Sequence, residues 1–343
     1  MRKWIGYQRG INLGGWLSQC DYSREHLDNF IVEEDIRKIK EWGADHVRLP
    51  IDYNVLQNEK GQYLEEGFAR VERAVEWCGK HGLNMVLDLH KTVGYSFDAD
   101  EREEGFFEEE EYQERFYSLW EEIARRFAGA GKRVAFDILN EIVDKEVCAQ
   151  WNEISARCIR RIRAIAPDTK ILVGGYWNNN VMAVKDLAVP MDENIVYNFH
   201  CYDPLLFTHQ GAGWVPEIPE DFRIAFPKTM EEYMDVTEKI MPDALSSLTE
   251  AEGVTGLLGA SYFEALFSEA VRTAIERDVP LYCGEYGVID RADGESTLAW
   301  YDSIHQVFEK FGIGRAAWCY KGMNYGLASE HLDGVREQIL ERL

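Results

Sequence analysis

Short apolar runs alternate with longer amphipathic stretches along the whole chain. Each run has four to eight residues, as in a buried strand, whereas the stretches between them repeat apolar residues at helical spacing. This alternation is typical of βα units that build a parallel sheet. The predicted strands are residues 10–13, 46–50, 84–90, 134–141, 170–174, 195–202, 281–287 and 316–320. The predicted helices are residues 33–42, 67–80, 112–127, 148–166, 181–187, 262–277 and 296–311.

Eight strands with helices between them favour an α/β fold of the closed (β/α)8 type, the TIM barrel, over a doubly wound open sheet. The opening GINLGG does not continue into a phosphate-binding pattern, and no acidic residue ends a strand about 20 positions later, as a dinucleotide fold requires. We therefore predict a single catalytic barrel domain that spans residues 1–343.

The segment between the sixth and seventh strands, residues 203–261, is longer than a βα connection needs. It contains five of the nine prolines and predicts a partly helical inserted subdomain in the loop after strand six. Loops that follow barrel strands lie on the catalytic face, so this segment could form a wall or lid over a substrate cleft. A role in stability alone is the equal alternative.

The formal net charge of −24 excludes two classes of partner. A field of this sign repels polyanions and anionic surfaces, so we expect no nucleic acid and no membrane as partner, and a neutral substrate. The acidic run at residues 101–111 predicts an exposed loop and helix start rather than a calcium site. The 10 Trp, 17 Tyr and 16 Phe either fill a large core or present ring faces to a ligand.

The seven cysteines include no C-x-x-C pair, and Cys201, Cys283 and Cys319 fall in apolar runs, which predicts buried, reduced thiols without disulfides. The amino terminus lacks the apolar core of a signal peptide, and no stretch approaches the roughly 20 apolar residues that span a bilayer. As given, the sequence predicts a cytoplasmic monomer without metal or cofactor. The alternative is a secreted protein whose leader has been removed.

Polar and aromatic residues stand at the carboxyl end of most predicted strands, where the active sites of barrel enzymes collect. The candidates are Arg48, Asp88, His90, Asn140, Glu141, His200, Tyr202, Glu285 and Trp318. Each alone could belong to a buried ion pair or to the core. Their joint placement on one face favours catalysis.

Glu141 and Glu285 end strands that face each other across the predicted barrel. Hydrolysis of a glycosidic bond needs two such carboxyl groups, about 5–5.5 Å apart for retention of configuration and about 6.5–9.5 Å apart for inversion. The carboxyl group that protonates the leaving oxygen needs a raised pKa, which a second, ionised carboxylate provides. Arg48 would favour the ionised form of the other carboxyl group.

The remaining candidates predict supporting roles around this pair. His200 and Tyr202 could hold the two carboxylates by hydrogen bonds. Asn140, next to Glu141, is placed to contact a sugar hydroxyl, and Trp318 could offer an apolar ring face to a pyranose.

These motifs resemble glycoside hydrolase family 5, the cellulase family, from about residue 11 to residue 320. An Asn-Glu pair ends the fourth strand in FDILNE, residues 136–141, and a Gly-Glu-aromatic-Gly motif forms the seventh strand at residues 284–287. Further matches are Arg48 in HVRLP, His90 in LDLH, His200 and Tyr202 in NFHCY, and Trp318. Within the family the sequence is most similar to the bacterial endoglucanase C type, which shares the INLGGW opening, the long insertion and the FTHQ tetrad at 207–210 with Trp214.

The resemblance implies a retaining endo-β-glucanase that hydrolyses β-1,4 and mixed β-1,3-1,4 glucan by double displacement. Glu141 would be the acid/base and Glu285 the nucleophile, and a β-glucan oligo- or polysaccharide would be the partner. A β-mannanase or glucomannanase and an exo-β-1,3-glucosidase are the alternatives within the family. One departure is Lys91, where many relatives carry a second histidine; a lysine only donates hydrogen bonds, so linkage preference near this loop stays open.

Two other classes of function are alternatives. A metal-dependent hydrolase could use His46, Asp88, His90 and His200, since histidines with a carboxylate bind zinc. However, His46 begins its strand and would lie at the opposite end of the barrel, and no H-x-H occurs. A carbohydrate-binding protein without turnover would keep the aromatic residues but lack a catalytic carboxylate, and both are present.

Overall fold

The computed structural model describes residues 1–98, 101, 103–251 and 253–343. Arg102, within the acidic run, and Glu252, within the predicted insertion, lie outside the described residues. Eight parallel strands form a closed barrel in chain order, and β1 pairs with β8. The strands are β1 (Arg9–Asn12), β2 (His46–Asp52), β3 (Asn84–Lys91), β4 (Val134–Asp137), β5 (Ile171–Val173), β6 (Ile195–Cys201), β7 (Leu281–Tyr286) and β8 (Gly314–Ala317). The predicted fold class is confirmed.

Helices surround the barrel and connect most successive strands. The α-helices are Arg24–Asn29, Glu33–Glu41, Tyr53–Leu56, Glu65–His81, Glu110–Phe127, Cys148–Arg163, Leu205–Thr208, Met230–Ile240, Leu245–Glu250, Ala260–Glu276, Gly294–Phe311 and Arg336–Leu340. The 3₁₀ segments are Ala128–Arg133, Lys145–Val147, Val181–Asp186, Pro242–Ala244 and Glu330–Leu332. A four-residue turn with left-handed backbone, Tyr176–Asn179, follows β5.

The helix Glu65–His81 shows why these segments fold as they do. Its buried residues Phe68, Val71, Ala74 and Cys78 recur every three or four positions, so they form one apolar stripe against the barrel. Acidic residues occupy its first turn and basic residues its last, which complements the helix dipole. Gly82 ends the helix with a φ of 70°, a conformation that glycine adopts without steric cost.

Three predicted elements differ from the structure. The fourth strand ends at Asp137 and not at residue 141. Beyond Asp137 the backbone N–H of Asn140 donates to Leu89 O (3.0 Å) outside the regular ladder of hydrogen bonds. The eighth strand is shifted to Gly314–Ala317, so Trp318 follows the strand instead of lying within it. The predicted helix at 181–187 is a 3₁₀ segment, Val181–Asp186.

The segment 203–261 contains three short helices, Leu205–Thr208, Met230–Ile240 and Leu245–Glu250, before the barrel helix Ala260–Glu276 begins. Thr229 caps the middle helix, since its side chain accepts from Glu232 N while the Glu232 carboxylate accepts from Thr229 N. Tyr233 anchors the same helix by a 2.8 Å hydrogen bond to Ala225 O. A local cap and one buried tyrosine therefore stabilise the middle of this segment, which follows β6.

The barrel interior changes from apolar to polar along its axis. Near the amino ends of the strands, the stacked rings of Trp4 and Tyr7, with centroids 3.9 Å apart, join a separate buried cluster. The other members of this cluster are Val86, Ala135, Leu172, Val196, Tyr282 and Ala316. Two residues further along β3 and β6 stand Asp88 and Asn198, which are buried and polar. The apolar plug thus closes one end and leaves the polar side chains at the other.

Two further predictions concern the whole chain. All seven cysteines are free thiols, and Cys201, Cys283 and Cys319 are buried, as predicted. In the described ranges no helix combines the length and the apolar character that a membrane crossing requires.

Candidate active site

Alternation along β3 and β6 delivers polar side chains to the barrel interior. Val86 belongs to the apolar plug, and Asp88 and His90 follow at steps of two residues on the same face. In the same way Val196 is followed by Asn198 and His200. The period of two therefore places Asp88 and Asn198 in one buried polar layer inside the barrel. His90 and His200 lie one step further, at the face where the strands end.

Arg48 is the centre of the polar layer. It is fully buried, and its guanidinium contacts side chains from β1, β3, β4 and β7. The contacts are Asn12 Oδ1 (3.0 Å), Asp88 Oδ2 (3.1 Å), Asp137 Oδ2 (3.1 Å), Asn140 Oδ1 (2.9 Å) and Glu285 Oε1 (2.7 Å). Burial lowers the pKa of Arg48, but the carboxylates of Asp88, Glu285 and Asp137 raise it further, so the guanidinium stays charged.

The position of Arg48 corrects the prediction that it closes its strand. It is the third residue of β2, which continues to Asp52. The long side chain extends from this low position to Glu285, so an inward-facing arginine in mid-strand serves the site as well as one at the strand end.

Glu285 reaches the interior because β7 is irregular. The register of β7 shifts against both neighbours, between Phe199 and His200 of β6 and between Cys283 and Tyr286 of β7. A bulge re-aims a side chain, which lets Gly284 and Glu285 both face inward. Gly284 is required there, since a Cβ would lie 2.6 Å from Asn198 Oδ1.

The Glu285 carboxylate is held by two donors of different charge. Oε1 accepts from Arg48 Nη1 at 2.7 Å, and Oε2 accepts from the Tyr202 hydroxyl at 3.0 Å. Burial raises the pKa of Tyr202 well above its ordinary value, so the phenol remains a donor. An ion pair and a phenol hydrogen bond therefore each hold one oxygen of this carboxylate.

The Glu141 carboxylate has neutral partners instead. Its Oε1 lies 2.7 Å from His200 Nδ1, and its Oε2 accepts from Asn178 Nδ2 at 3.0 Å. Burial raises the pKa of Glu141 to about 7, although the Asn178 hydrogen bond and the Arg48 charge oppose the rise. Glu141 is therefore the carboxyl group that holds a proton near neutral pH.

The two histidines at this face are neutral. Burial lowers the pKa of His200 to about 4 and that of His90 to about 4, despite the nearby carboxylates. His90 Nδ1 lies 2.6 Å from Asp88 Oδ2, and burial raises the pKa of Asp88 to about 7. His200 faces both glutamates, at 2.7 Å from Glu141 Oε1 and 3.7 Å from Glu285 Oε2.

The separation of the two carboxyl groups decides what they can do together. An oxygen of Glu141, an oxygen of Glu285 and a ring nitrogen of His200 lie within 4.8 Å of one another. A retaining pair stands about 5–5.5 Å apart, whereas an inverting pair needs about 6.5–9.5 Å to admit a water molecule. The geometry therefore fits direct attack by one carboxylate on a carbon whose leaving group the other protonates.

Among the described residues, Glu141, His200 and Glu285 also form the group whose oxygen and nitrogen atoms are close enough together to coordinate one metal ion. The positive charge of Arg48, 2.7 Å from Glu285, disfavours a second cation there. The alternative metal set from the sequence does not assemble, because both ring nitrogens of His46 bind elsewhere. They contact Asp45 Oδ1 (2.6 Å) and Tyr282 Oη (2.7 Å) at the closed end of the barrel.

Two predicted substrate contacts lie beside the carboxylates. Asn140 accepts from Arg48 through Oδ1, while its buried Nδ2 has no hydrogen-bond partner in the described chain. A buried amide donor of this kind is costly unless a ligand oxygen satisfies it. The Trp318 ring lies parallel to His90 with centroids 5.8 Å apart, and Gly14 makes room for it, since a Cβ would lie 2.8 Å from the indole.

Trp214 lies farther from the two glutamates than the other predicted substrate-binding residues do. It is 48% exposed, and its ring contacts His209 and Tyr325, which both pack against Tyr202. The structure thus places Trp214 on the Glu285 side, at the rim, without direct contact with either carboxylate.

The Lys91 side chain turns away from the carboxylates of Glu141 and Glu285. It is buried, pairs with Glu101, and lies 3.9 Å from Asp52 Oδ2. The described acidic residues of the run are otherwise exposed and lead into the helix Glu110–Phe127, as predicted, whereas Glu103 is half-buried and accepts from the Tyr53 hydroxyl at 2.8 Å. These contacts fasten the loop after β3 to β2.

Four functional residues were missed in the sequence. Asn12, Asp137 and Asn198 complete the polar layer: Asp137 Oδ2 accepts from both Arg48 and Asn198, and Asn198 Oδ1 accepts from Gly284 N. Polar residues within apolar strand runs are the signal that could have identified them. Asn178 follows β5 in the run WNNN, where repeated asparagines indicate a left-handed turn.

Comparison with known proteins gives a consistent result. The profile described as Cellulase (glycosyl hydrolase family 5) matches residues 8–324. Cellodextrinase A of Ruminococcus flavefaciens is 51% identical over 315 residues, which cover 92% of this chain and 86% of the relative. Endoglucanase C of Acetivibrio thermocellus is 35% identical over 349 residues, covering 99% of this chain and 98% of the relative.

Solved structures share the architecture. The structure of Thermotoga maritima Cel5A in complex with cellobiose has a TM-score of 0.77, with 24% identity and coverage of 98% of this chain and 97% of that one. At this identity the likeness speaks for the fold alone.

Proposed function

Since the chain belongs to glycosyl hydrolase family 5, the cellulase family, we propose that it cleaves β-1,4-linked glucan by a retaining double displacement with Glu141 as acid/base and Glu285 as nucleophile. The chain is a glycoside hydrolase, and retention of configuration is general in this family. The roles of the individual side chains are the part that we add.

In the first step an oxygen of Glu285 attacks the anomeric carbon while the bond from that carbon to the glycosidic oxygen breaks. Glu141 gives its proton to the departing oxygen, so the aglycone leaves as an alcohol. In the second step Glu141, now ionised, takes a proton from water as the water oxygen attacks the anomeric carbon. The ester bond to Glu285 breaks, which regenerates both carboxyl groups.

One observation carries this assignment: two carboxyl groups within 4.8 Å have opposite surroundings. Arg48 and Tyr202 stabilise the charge that Glu285 needs for attack and regains on departure. Burial raises the pKa of Glu141 to about 7, so this carboxyl group can hold a proton near neutral pH. Different surroundings of two adjacent carboxyl groups are the signature of separate acid and nucleophile roles.

The substrate class follows from the relatives. One is named an endoglucanase and covers nearly the whole chain, so internal cleavage of β-1,4-glucan is the function we assign first. The other, at higher identity, is named a cellodextrinase, which makes soluble β-1,4-gluco-oligosaccharides the second candidate. We extend the same proposal to hydrolysis of mixed β-1,3-1,4 glucan.

Glycan is the partner that this function requires, and we expect the enzyme to act on it as a monomer. Light scattering after gel filtration tests the second point: a mass near 39.6 kDa supports it, and twice that mass contradicts it.

The deciding experiment measures new reducing ends and viscosity together, with a chelator present. The substrates are carboxymethyl cellulose, mixed-linkage β-glucan, laminarin, glucomannan and purified cello-oligosaccharides. A rapid fall in viscosity on the first two identifies an endoglucanase. Hydrolysis confined to cello-oligosaccharides identifies a cellodextrinase. Activity on laminarin or glucomannan alone would contradict the proposed substrate, and binding without turnover would contradict the proposed chemistry.

A further inference from the structure

The turn after β5 has an unusual backbone. Trp177, Asn178 and Asn179 all have positive φ, at 52°, 56° and 56°. Side chains with a Cβ rarely adopt this conformation, and asparagine tolerates it best after glycine. Two backbone hydrogen bonds tie the turn to the segment that follows Glu141: Trp177 N donates to Val143 O (3.0 Å) and Asn178 N to Ile142 O (2.9 Å). The turn is therefore fixed relative to Glu141 itself.

The turn aims one side chain at the carboxyl group of Glu141. Asn178 Nδ2 donates to Oε2 at 3.0 Å, while His200 occupies Oε1. Asn178 is itself exposed, in contrast to the buried residues of the polar layer. Its side chain contributes little to the core, so its replacement should leave the fold intact.

We propose that Asn178 is a positioning residue for Glu141, whose amide orients Oε2 and stabilises the ionised carboxylate that the second half of the reaction needs. This inference rests on the proposed function. Glu141 must change from acid to base within one catalytic cycle. A group with too high a proton affinity is a good acid and a poor base. A neutral donor on Oε2 lowers the proton affinity moderately without making the carboxylate permanently charged.

The other groups around Glu141 do not fill this role. His200 from β6 binds Oε1 and also faces Glu285. Arg48 from β2 acts at longer range and serves Glu285 directly, while Asp88 from β3 and Tyr202 after β6 interact with Glu141 only electrostatically.

Tyr95 is the remaining neighbour, and its hydroxyl donates to the backbone oxygen of Glu141 at 2.7 Å rather than to the carboxylate. Among the described residues, Asn178 is therefore the donor that contacts the Glu141 carboxylate without also contacting Glu285 or Arg48.

Two variants keep the left-handed backbone and change the donor. Asn178→Gly removes the amide, and Asn178→Asp replaces it with a carboxylate; both residues tolerate positive φ. The control is Asn324→Gly, which makes the same change at an exposed asparagine with a φ of 60° in the loop after β8; among the described residues, no hydrogen bond joins its side chain to either glutamate. Each is assayed from pH 4 to pH 9 on a cello-oligosaccharide and on an aryl β-cellobioside with a good leaving group.

We expect the alkaline limb of kcat/KM on the cello-oligosaccharide to move upward by up to about one pH unit in Asn178→Gly. The shift should be larger in Asn178→Asp, because a second carboxylate repels the first. On the aryl substrate, where the second step limits, the acidic limb of kcat should move in the same direction. Asn324→Gly should give the wild-type profile.

Profiles of both Asn178 variants that coincide with wild type overturn the inference, even if kcat falls. Failure of the proposed function looks different. In that case Glu141→Gln would retain hydrolysis of the cello-oligosaccharide, whereas it loses that activity if only the inference about Asn178 is wrong.

Discussion

Glu141 and Glu285 are the same side chain in two different surroundings. Glu285 contacts a permanent cation and a phenol, Arg48 and Tyr202, whereas Glu141 contacts a neutral imidazole and an amide, His200 and Asn178. Burial is nearly equal, at 5% and 9% exposure. Burial alone therefore does not separate their roles.

The difference originates in the polar layer beneath the pair. The shortest contact of Arg48, at 2.7 Å, is its ion pair with Glu285. Its effect on Glu141 is only a longer-range electrostatic interaction. A hydrogen bond from a charged guanidinium is stronger than one from a neutral amide. The comparison teaches that one buried cation, placed asymmetrically, is enough to give two identical side chains unlike electrostatic surroundings.

Removal of the Glu285 charge is the strongest test of this asymmetry. Glu285→Gln should lower kcat on every glucan substrate by about 10⁴-fold or more, because the amide does not form the glycosyl ester. Stopped assays with purified oligosaccharide measure the loss, and calorimetry should find binding largely intact. Full residual activity would show that another group is the nucleophile.

Glu141→Gln should give a smaller loss that depends on the leaving group. On cello-oligosaccharides we expect kcat/KM to fall by about 10²- to 10⁴-fold, since general acid catalysis is lost. On an aryl cellobioside whose phenolate leaves without a proton, the first step should remain fast and product should accumulate in a burst. Equal losses on the two substrates would contradict the acid role.

Tyr202→Phe should affect the nucleophile side alone. The variant keeps the ring contacts to His209 and Tyr325 and removes the hydrogen bond to Glu285 Oε2. Loss of a hydrogen bond to a charged group should lower kcat/KM by about 10- to 100-fold. The alkaline limb of the pH profile should stay in place, and a shift of that limb would show that Tyr202 also serves Glu141.

The pH dependence of the wild-type enzyme gives the mildest test. Burial raises the pKa of Glu141 to about 7, and its protonated form is the one that starts the reaction. The kcat/KM on unactivated oligosaccharide should therefore be full below this pH, half-maximal near pH 7 and falling above it. On the aryl substrate this alkaline limb should be absent from kcat/KM. A limb that persists there would have to belong to another group.

The barrel and the proximity of the two carboxyl groups could be predicted because they depend on short-range pattern. Eight apolar runs and polar residues at their ends were enough to place His90, His200, Tyr202 and both glutamates on one face. Trp318 reached the same face from just beyond its strand.

The rest depends on geometry that no local pattern contains. The β7 irregularity turns Glu285 inward against the alternation of the strand, and the sequence GEYG does not show which residue is displaced. The hydrogen bond from Asn178, in the turn after β5, to Glu141, in the segment after β4, exists only once the two strands are paired. The sequence left the contacts of Lys91 open, and its burial against Asp52 and Glu101 follows only from the pairing of β2 with β3 and from the path of the loop after β3.

The hub at Arg48 has a consequence for how this enzyme can change over generations. Its guanidinium links four other strands, and Glu285, the proposed nucleophile, is attached to this scaffold and not to any loop. Loops such as the 203–261 segment can then be lengthened, shortened or exchanged while the reacting carboxylate keeps its place. New glycan preferences are open to mutation and to grafting at the rim, whereas the buried arginine is a position that tolerates almost no variation.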